Sequence, residues 1–342
     1  MPNYVPTNAA SSGVKLDKRA LKAISRRSDR PGLTYLALWA LMLVVTGALV
    51  AAAMGTAWIW PAMFLHGVFL AVPAYSASHE TAHGTAFRTI WLNEAVLWFT
   101  SLIYMEEPLH RRYTHTNHHT HTWHVGKDCQ MPFDTPIGFG GWLTEITGIG
   151  LLRFHMLAFW HLATGNYTDT MRSVTPEGEF QRMTLNARVM LAIYGAIALA
   201  PLLGWWWPVW FLVIPRILGA PVMMLFTLLQ HVELKENSPS ILESTRSYTT
   251  GALGRFLYMN MNNHVEHHLY PQVPFYALPD LAEAVRTQVP APDNGFFRAN
   301  WEVLVVAIRR SLGLSTKAHS IRQAPHMISE GGPVVSIAQR TM

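Results

Sequence analysis

The chain has almost no cysteine. Cys129 is the only one in 342 residues, which excludes an intramolecular disulfide, a cysteine-based zinc site and an iron–sulfur cluster ligated within the chain. Any electron carrier must therefore be a separate protein. Charge is scarce as well: 14% of residues are Asp, Glu, Lys or Arg, and none of these occurs from 33 to 78 or from 189 to 215. Such uncharged lengths are the pattern of membrane-buried helices, so an integral membrane protein is expected. The net charge of +5 gathers at the ends of the apolar stretches and is accompanied by no base-stacking motif, which argues against a nucleic-acid partner. Residues 1–32 are polar and the first apolar stretch is long enough to span, so no cleavable signal is expected.

Four spans are predicted, at about 33–54, 57–78, 185–203 and 205–229. The first, of 22 residues, would measure about 33 Å as a helix, enough to cross the hydrocarbon core. Trp58 and Trp60 mark the turn of the first hairpin, and Trp205, Trp206 and Trp207 mark that of the second. Both turns lack Lys and Arg, whereas the 1–32 segment carries Lys15, Lys18, Arg19, Lys22, Arg26, Arg27 and Arg30. The positive-inside rule then places both termini in the cytoplasm. The 1–32 segment reads either as a short surface helix, with Leu21 and Ile24 on its apolar side, or as a disordered basic tail. Residues 91–104 are apolar but too short to span and are expected at the interface. The stretch 137–165 is also kept on the surface, because a crossing there would separate the histidine clusters described next. The expected architecture is all-α: four transmembrane helices in two hairpins and a cytoplasmic helical cap within a 33–313 catalytic domain, followed by a 314–342 tail.

Three short clusters are the chemical core of the sequence. They are His79 and His83; His115, His118 and His119; and His264, His267 and His268. Positions i, i+3 and i+4 of a helix share a face, so each cluster can aim its imidazoles at one point. His231, at the end of the fourth predicted span, is a candidate ninth member. One such cluster alone is weak evidence, but three at the same predicted membrane junction point to a metal site. Eight or nine imidazoles exceed what one zinc uses, and two iron ions with positions left open for O2 fit the number best. Carboxylates are then expected one shell out, orienting the rings, and Glu80, Glu106, Glu107, Asp128, Glu233 and Glu266 are near enough in sequence. His66, His110, His121, His124, His155 and His161 are left out of the ligand set. Arg216, inside the fourth span, is expected to snorkel, the alternatives being a polar substrate group or another helix as its partner.

These residues carry a resemblance. The boxes His79-x-x-x-His83, His115-x-x-His118-His119 and His264-x-x-His267-His268, with the continuation from Leu269 to Pro279, resemble the membrane fatty acid desaturase superfamily, which includes hydroxylases and carotenoid-modifying oxygenases. The resemblance covers about residues 33–285. It implies four spans below a cytoplasmic cap, a diiron centre, O2 as co-substrate, a ligand role for His231, and two electrons from a separate donor of ferredoxin, rubredoxin or cytochrome b5 type with its reductase. The three-residue spacing in the first box is more like that of acyl-lipid than acyl-CoA desaturases. Two departures stand out: the acyl-CoA enzymes carry Asn four residues before the extra histidine where this chain has Thr227, and no fused cytochrome b5 segment is present. The reaction expected is desaturation of a fatty acyl chain in a membrane lipid. Hydroxylation of a lipid, alkyl or small organic substrate by the same site is the alternative. A metal transporter or zinc hydrolase is a third reading, disfavoured because transporters hold ligands between broken helices at the bilayer midplane, whereas these clusters lie at predicted helix ends.

Overall fold

The computed structural model describes residue 8 and residues 11–131 and 135–316. Most of the expected 314–342 tail lies outside the described residues. Among the described residues there is no strand, only an isolated bridge between Tyr248 and Asp293. The helices are α1 (Lys18–Ile24), α2 (Asp29–Ala52), α3 (Ile59–Ala82), α4 (Ile90–Tyr104), α5 (Pro108–His121), α6 (Phe139–Ile146), α7 (Ile149–Thr164) and α8 (Asp169–Val174), then α9 (Phe180–Leu199), α10 (Ile214–Leu228), α11 (Ile241–Ser244), α12 (Ala252–Leu257), α13 (His264–Leu269), α14 (Leu278–Val285) and α15 (Phe296–Ser311).

Among the described residues, four helical stretches are long and apolar enough to cross a membrane: Asp29–Ala52, Ile59–Ala82, Glu177–Leu203 and Val209–Leu228. The expected surface stretch 137–165 forms α6 and α7, bent by 64° at their junction, and counting that pair as one broken span would make five. The helices also extend past the predicted limits. Helix α2 starts at Asp29, whose carboxylate accepts from Thr89 N at 2.8 Å and Thr89 Oγ1 at 2.7 Å. Helix α3 runs on to Ala82, so His79 lies inside it rather than beyond its end.

Helix α3 is the centre of the fold, buried from His66 to Ala82 and packed against α2, α4 and α10. Pro73 within it has no N–H to give the Phe69 carbonyl four residues earlier. Trp39 Nε1, from α2, donates to that carbonyl at 2.7 Å instead, satisfying a group that lipid could not. Gly67 of α3 and Gly219 of α10 face each other so closely that a Cβ on either would overlap the other helix's backbone. Small residues let the two helices approach backbone to backbone, and the crossing fixes the end of α10 relative to that of α3. His66 bridges Thr46 Oγ1 at 2.7 Å and the Phe211 carbonyl at 3.1 Å, a satisfied core histidine.

The N-terminal segment packs on the short helices α13 and α14: Val14 is buried against a cluster that includes Leu269, Val273, Leu278 and Leu281, with Leu21 and Ile24 of α1 alongside. Asn8 Nδ2 donates to the His119 carbonyl at 2.9 Å and to the His268 carbonyl at 3.3 Å. Of the two readings of the 1–32 segment, the helical one describes α1. On the opposite flank, Arg310 of α15 makes a bidentate pair with Glu233, both bonds at 2.6 Å, and reaches the Ile137 carbonyl.

Candidate metal centre

Each histidine cluster sits on a short, well-anchored piece of helix. Helix α5 begins with Glu107 as its N-cap, accepting from His110 N at 2.6 Å, and Pro108 in its first turn, a start signal that needs no other partner. Helix α13 has only six residues and is anchored by Ser247, whose Oγ accepts from Val265 N at 3.0 Å and donates to Glu266 Oε2 at 2.6 Å. At about 100° per residue, His119 lies about 40° to one side of His115 on α5 and His118 about 60° to the other, so the rings of one face fan apart to two sides. The same spacing on α13 sets His268 to one side of His264 and His267 to the other.

The result is two groups of imidazoles. His79, His83, His115, His119 and His267 form one, and His118, His231, His264 and His268 the other; within each, the ligand-type nitrogens lie within 4.8 Å of one another. The second and third boxes therefore straddle the centre, each giving two rings to one group and one to the other. All nine histidines are buried. The Nε2 atoms converge: His83 to His115 at 3.0 Å, His115 to His119 at 3.2 Å, His231 to His264 at 3.2 Å and His264 to His268 at 3.1 Å.

The outer nitrogens explain the direction in which the lone pairs point. His115 Nδ1 meets Gln130 Oε1 at 2.9 Å, His118 Nδ1 meets Asp128 Oδ2 at 2.8 Å, and His231 Nδ1 meets the Ser244 carbonyl at 2.8 Å. These oxygens are acceptors, so each ring carries its proton on Nδ1 and turns a bare Nε2 inward. Thr122 Oγ1 lies 3.2 Å from His268 Nδ1. His79 and His267 have no hydrogen-bond partner at either ring nitrogen, and buried polar atoms left unpaired are costly. A cation among the rings satisfies them. Burial, reinforced by neighbouring imidazoles, holds His83, His115, His119, His264 and His268 well below the ordinary 6.5. Burial and the nearby His118 bring His231 and His267 down to about 3. These seven rings are neutral, the form that binds metal. Nine imidazoles divided into five and four fit two metal ions.

The predicted carboxylates divide. Asp128 reaches a clustered ring and also accepts from Trp123 N at 2.8 Å. Burial alone would raise its pKa, but His118 and the amides of Gln130 and Trp123 hold it below the usual carboxylate range. Glu80 accepts from Thr85 Oγ1 at 2.6 Å and Phe275 N at 3.1 Å, tying α3 to the Leu269–Pro279 continuation. Glu107 is the cap and also accepts from Asn186 at 2.8 Å. Glu233 pairs with Arg310, and Glu266 accepts from Ser247. Glu106 lies 3.5 Å from Arg111, 3.4 Å from His110 and 3.8 Å from His155, none of them a clustered residue. Burial opposes its ionisation, yet Arg111 with these two histidines brings its pKa down to about 2. None of the six histidines set aside from the sequence lies in either group.

Gln130, Thr122 and the Ser244 carbonyl escaped the sequence reading, since neither spacing nor charge marks them. Arg246 escaped it too. This fully buried guanidinium donates to the Leu229 carbonyl at 3.1 Å and the Val232 carbonyl at 3.2 Å and pairs with Asp293 at 2.8 Å. It thus clamps the chain on both sides of His231.

A cavity of about 100 Å³ borders His118 and His231, with Tyr75, Tyr104, Glu106, Arg111 and Thr227 among its walls. Thr227, at the position of the Asn in the acyl-CoA enzymes, keeps its hydroxyl on the Met224 carbonyl at 3.1 Å. A second, apolar cavity of about 260 Å³ lies between α7 and α10. Arg216 lines it and donates from Nε to the Ile103 carbonyl at 3.2 Å. Arg216 therefore does not snorkel: a carbonyl at the end of α4 is within reach and satisfies it inside the protein.

Comparison with known proteins agrees with this geometry. The family model described as fatty acid desaturase matches residues 56–299, which include all nine clustered histidines. A relative, the sn-1 oleoyl-lipid 12-desaturase of Arthrospira platensis, is 25% identical over 254 residues, covering 65% of this chain and 65% of the relative's own length. The chain belongs to the fatty acid desaturase family.

Proposed function

We propose that the protein catalyses O2-dependent oxidation of an unactivated C–H bond at a diiron centre, with desaturation of a fatty acyl chain in a membrane lipid as the reaction. The observation that carries the proposal is the division of nine buried imidazoles into groups of five and four. An all-nitrogen shell leaves two irons strongly electrophilic. His79, His83, His115, His119 and His267 would hold one, and His118, His231, His264 and His268 the other. Two bound irons supply the activation of O2 that hydrogen abstraction from an alkyl chain requires.

The chain's own residues do the rest. Gln130, Asp128, the Ser244 carbonyl and Thr122 hold four rings in orientation from behind. The cavity beside His118 and His231 receives the substrate carbons, and its aromatic walls limit water. The balance is that substrate loses two hydrogens and two electrons, a donor supplies two more electrons, and O2 with two protons leaves as two waters. The donor is proposed to be a small ferredoxin, rubredoxin or cytochrome b5 type protein, supported by the absence of any cysteine cluster and by a basic N-terminal segment suited to an acidic partner. The centre and both termini are proposed to face the cytoplasm, supported by the basic 1–32 segment and the uncharged hairpin turns. Residues 33–313 are proposed as one catalytic domain.

The relative's printed activity, on an oleoyl lipid, supports a lipid acyl chain as substrate. Hydroxylation is the competing outcome of the same centre, and mass spectrometry of lipids from cells with and without the gene separates the two. Loss of two hydrogens from an acyl chain is expected; gain of one oxygen assigns a hydroxylase. Metal analysis of protein purified from iron-supplied cells should find about two irons per chain, a number that follows from the ligand count. A protein that retains only zinc and shows no O2-dependent product after iron loading overturns the proposal.

A further inference from the structure

The cavity beside His118 and His231 is not a plain hydrocarbon slot. Arg111, Glu106 and Glu145 line it, and each is about 3% exposed. Arg111 stacks over Tyr75 and Tyr104, its guanidinium carbon 5.1 and 5.3 Å from their ring centres. Its Nε and Nη2 have no hydrogen-bond partner, and neither do Glu106 Oε2 and Glu145 Oε2. The longer ion-pair approach of 3.5 Å between Arg111 and Glu106 leaves these atoms free to bond something else. Three buried residues with unmet donors or acceptors thus line one small space, where leaving such atoms unpaired is costly. The two opposite charges of Arg111 and Glu106 offset each other, which disfavours a charged guest.

The second cavity adjoins the first through the shared walls Tyr104, Leu151 and His155. Its outer edge carries Ile149, Leu152 and Ile217, all exposed apolar side chains, so it opens on the flank that would meet lipid. From these two cavities we infer that the substrate is a neutral amphiphile. Its uncharged polar group both accepts from Arg111 and donates to Glu106 or Glu145, as a hydroxyl or a primary amide does, while its apolar tail lies in the cavity between α7 and α10. This rests on the proposed oxidation at the adjacent centre but revises its substrate: the amphiphile enters polar group first, and the oxidised carbon lies a few bonds from that group instead of midway along the acyl chain of a membrane lipid.

Equilibrium binding to the full-length chain in phospholipid nanodiscs tests this, with empty nanodiscs correcting for partition. The probes share one chain length: 1-dodecanol, dodecanamide, methyl dodecanoate, dodecanoate and dodecane. The alcohol and the amide are expected to bind about ten-fold or more tightly than the other three, the effect of one charge-assisted hydrogen bond. Arg111→Met and Glu145→Leu should each reduce that preference at least several-fold. If Arg111→Met does not fold, Glu145→Leu decides, since it leaves the Arg111–Glu106 pair intact. Equal binding of alcohol and alkane by the wild type overturns the inference, as expected if the free atoms are met by water alone. A preference unchanged in the folded variants overturns it as well. Product formation is read separately: oxidation without polar-group preference removes only this inference, and preference without any O2-dependent product removes the proposed reaction while leaving the binding site.

Discussion

Asp128 Oδ2 sits 2.8 Å from His118 Nδ1 and 2.8 Å from Trp123 N, so one carboxylate both sets the tautomer of a clustered ring and closes the turn after α5. Replacing it with Asn keeps the shape but removes the charge. Such outer partners contribute roughly 10–100-fold to metal affinity. Asp128→Asn is therefore expected to retain its fold and lose metal by about that factor, measured by competition with a chelator. Unchanged retention would assign Asp128 to the turn alone.

The two groups make a sharper claim about which histidines hold metal. His267 has both ring nitrogens unpartnered among His79, His83 and His119, whereas His110 lies 3.4 Å from Glu106, outside either group. His267→Ala should purify with markedly less metal and no activity, while His110→Ala should keep its full metal content. Equal metal in the two would refute the grouping.

How much of this was legible beforehand varies by the physics involved. The clusters could be read because i, i+4 spacing on a helix is a local property. The division into five and four could not, because it depends on how α5 and α13 are rotated toward each other. Asp128 was one of six plausible carboxylates, and others of the six have different tasks: Glu107 caps a helix, which is local, whereas Glu80 ties down Phe275 N and Glu233 meets Arg310, partners far away in sequence. Arg216 was misjudged because a carbonyl partner on another helix leaves no trace in sequence. Long uncharged runs marked the apolar stretches, but the helices run up to eight residues past the predicted limits, and the bend between α6 and α7 blurs the number of spans. That stretch carries Glu145, Arg153 and His155, and at least the first and last are buried in the protein rather than facing lipid.

Acid should act on the fold and the metal together. His83, His115, His119, His231, His264, His267 and His268 have pKa values held below 6.5, so the unfolded chain binds more protons than the folded one once pH falls below that value. Stability is complete above 6.5 and declines as pH falls toward about 3, where His231 and His267 would themselves protonate. The depressed carboxylates Asp128 and Glu106 act in the same direction, their contribution being lost as pH falls through their lowered values. Because the rings stay neutral while the fold lasts, metal release and loss of helical circular dichroism should share one midpoint. Release well before unfolding would show that the rings titrate in the folded protein.

Arg246 offers the strictest test of how His231 is placed. The residue is wholly buried, and its bonds include those to carbonyls 229 and 232 and to Asp293. Leu229 caps the C-terminus of α10, so the guanidinium satisfies a carbonyl left open there and matches the negative end of the helix dipole, while Val232 lies in the turn beyond. Arg246→Met fills much the same volume but leaves the carbonyls and Asp293 without this partner. Breaking a buried pair from one side typically costs about 3–5 kcal/mol, so a large drop in unfolding temperature is expected. Adding Asp293→Asn to Arg246→Met removes the stranded charge and should recover part of that stability, without restoring metal to the group containing His231. Full recovery of both would mean that His231 is held by its Nδ1 bond to the Ser244 carbonyl alone.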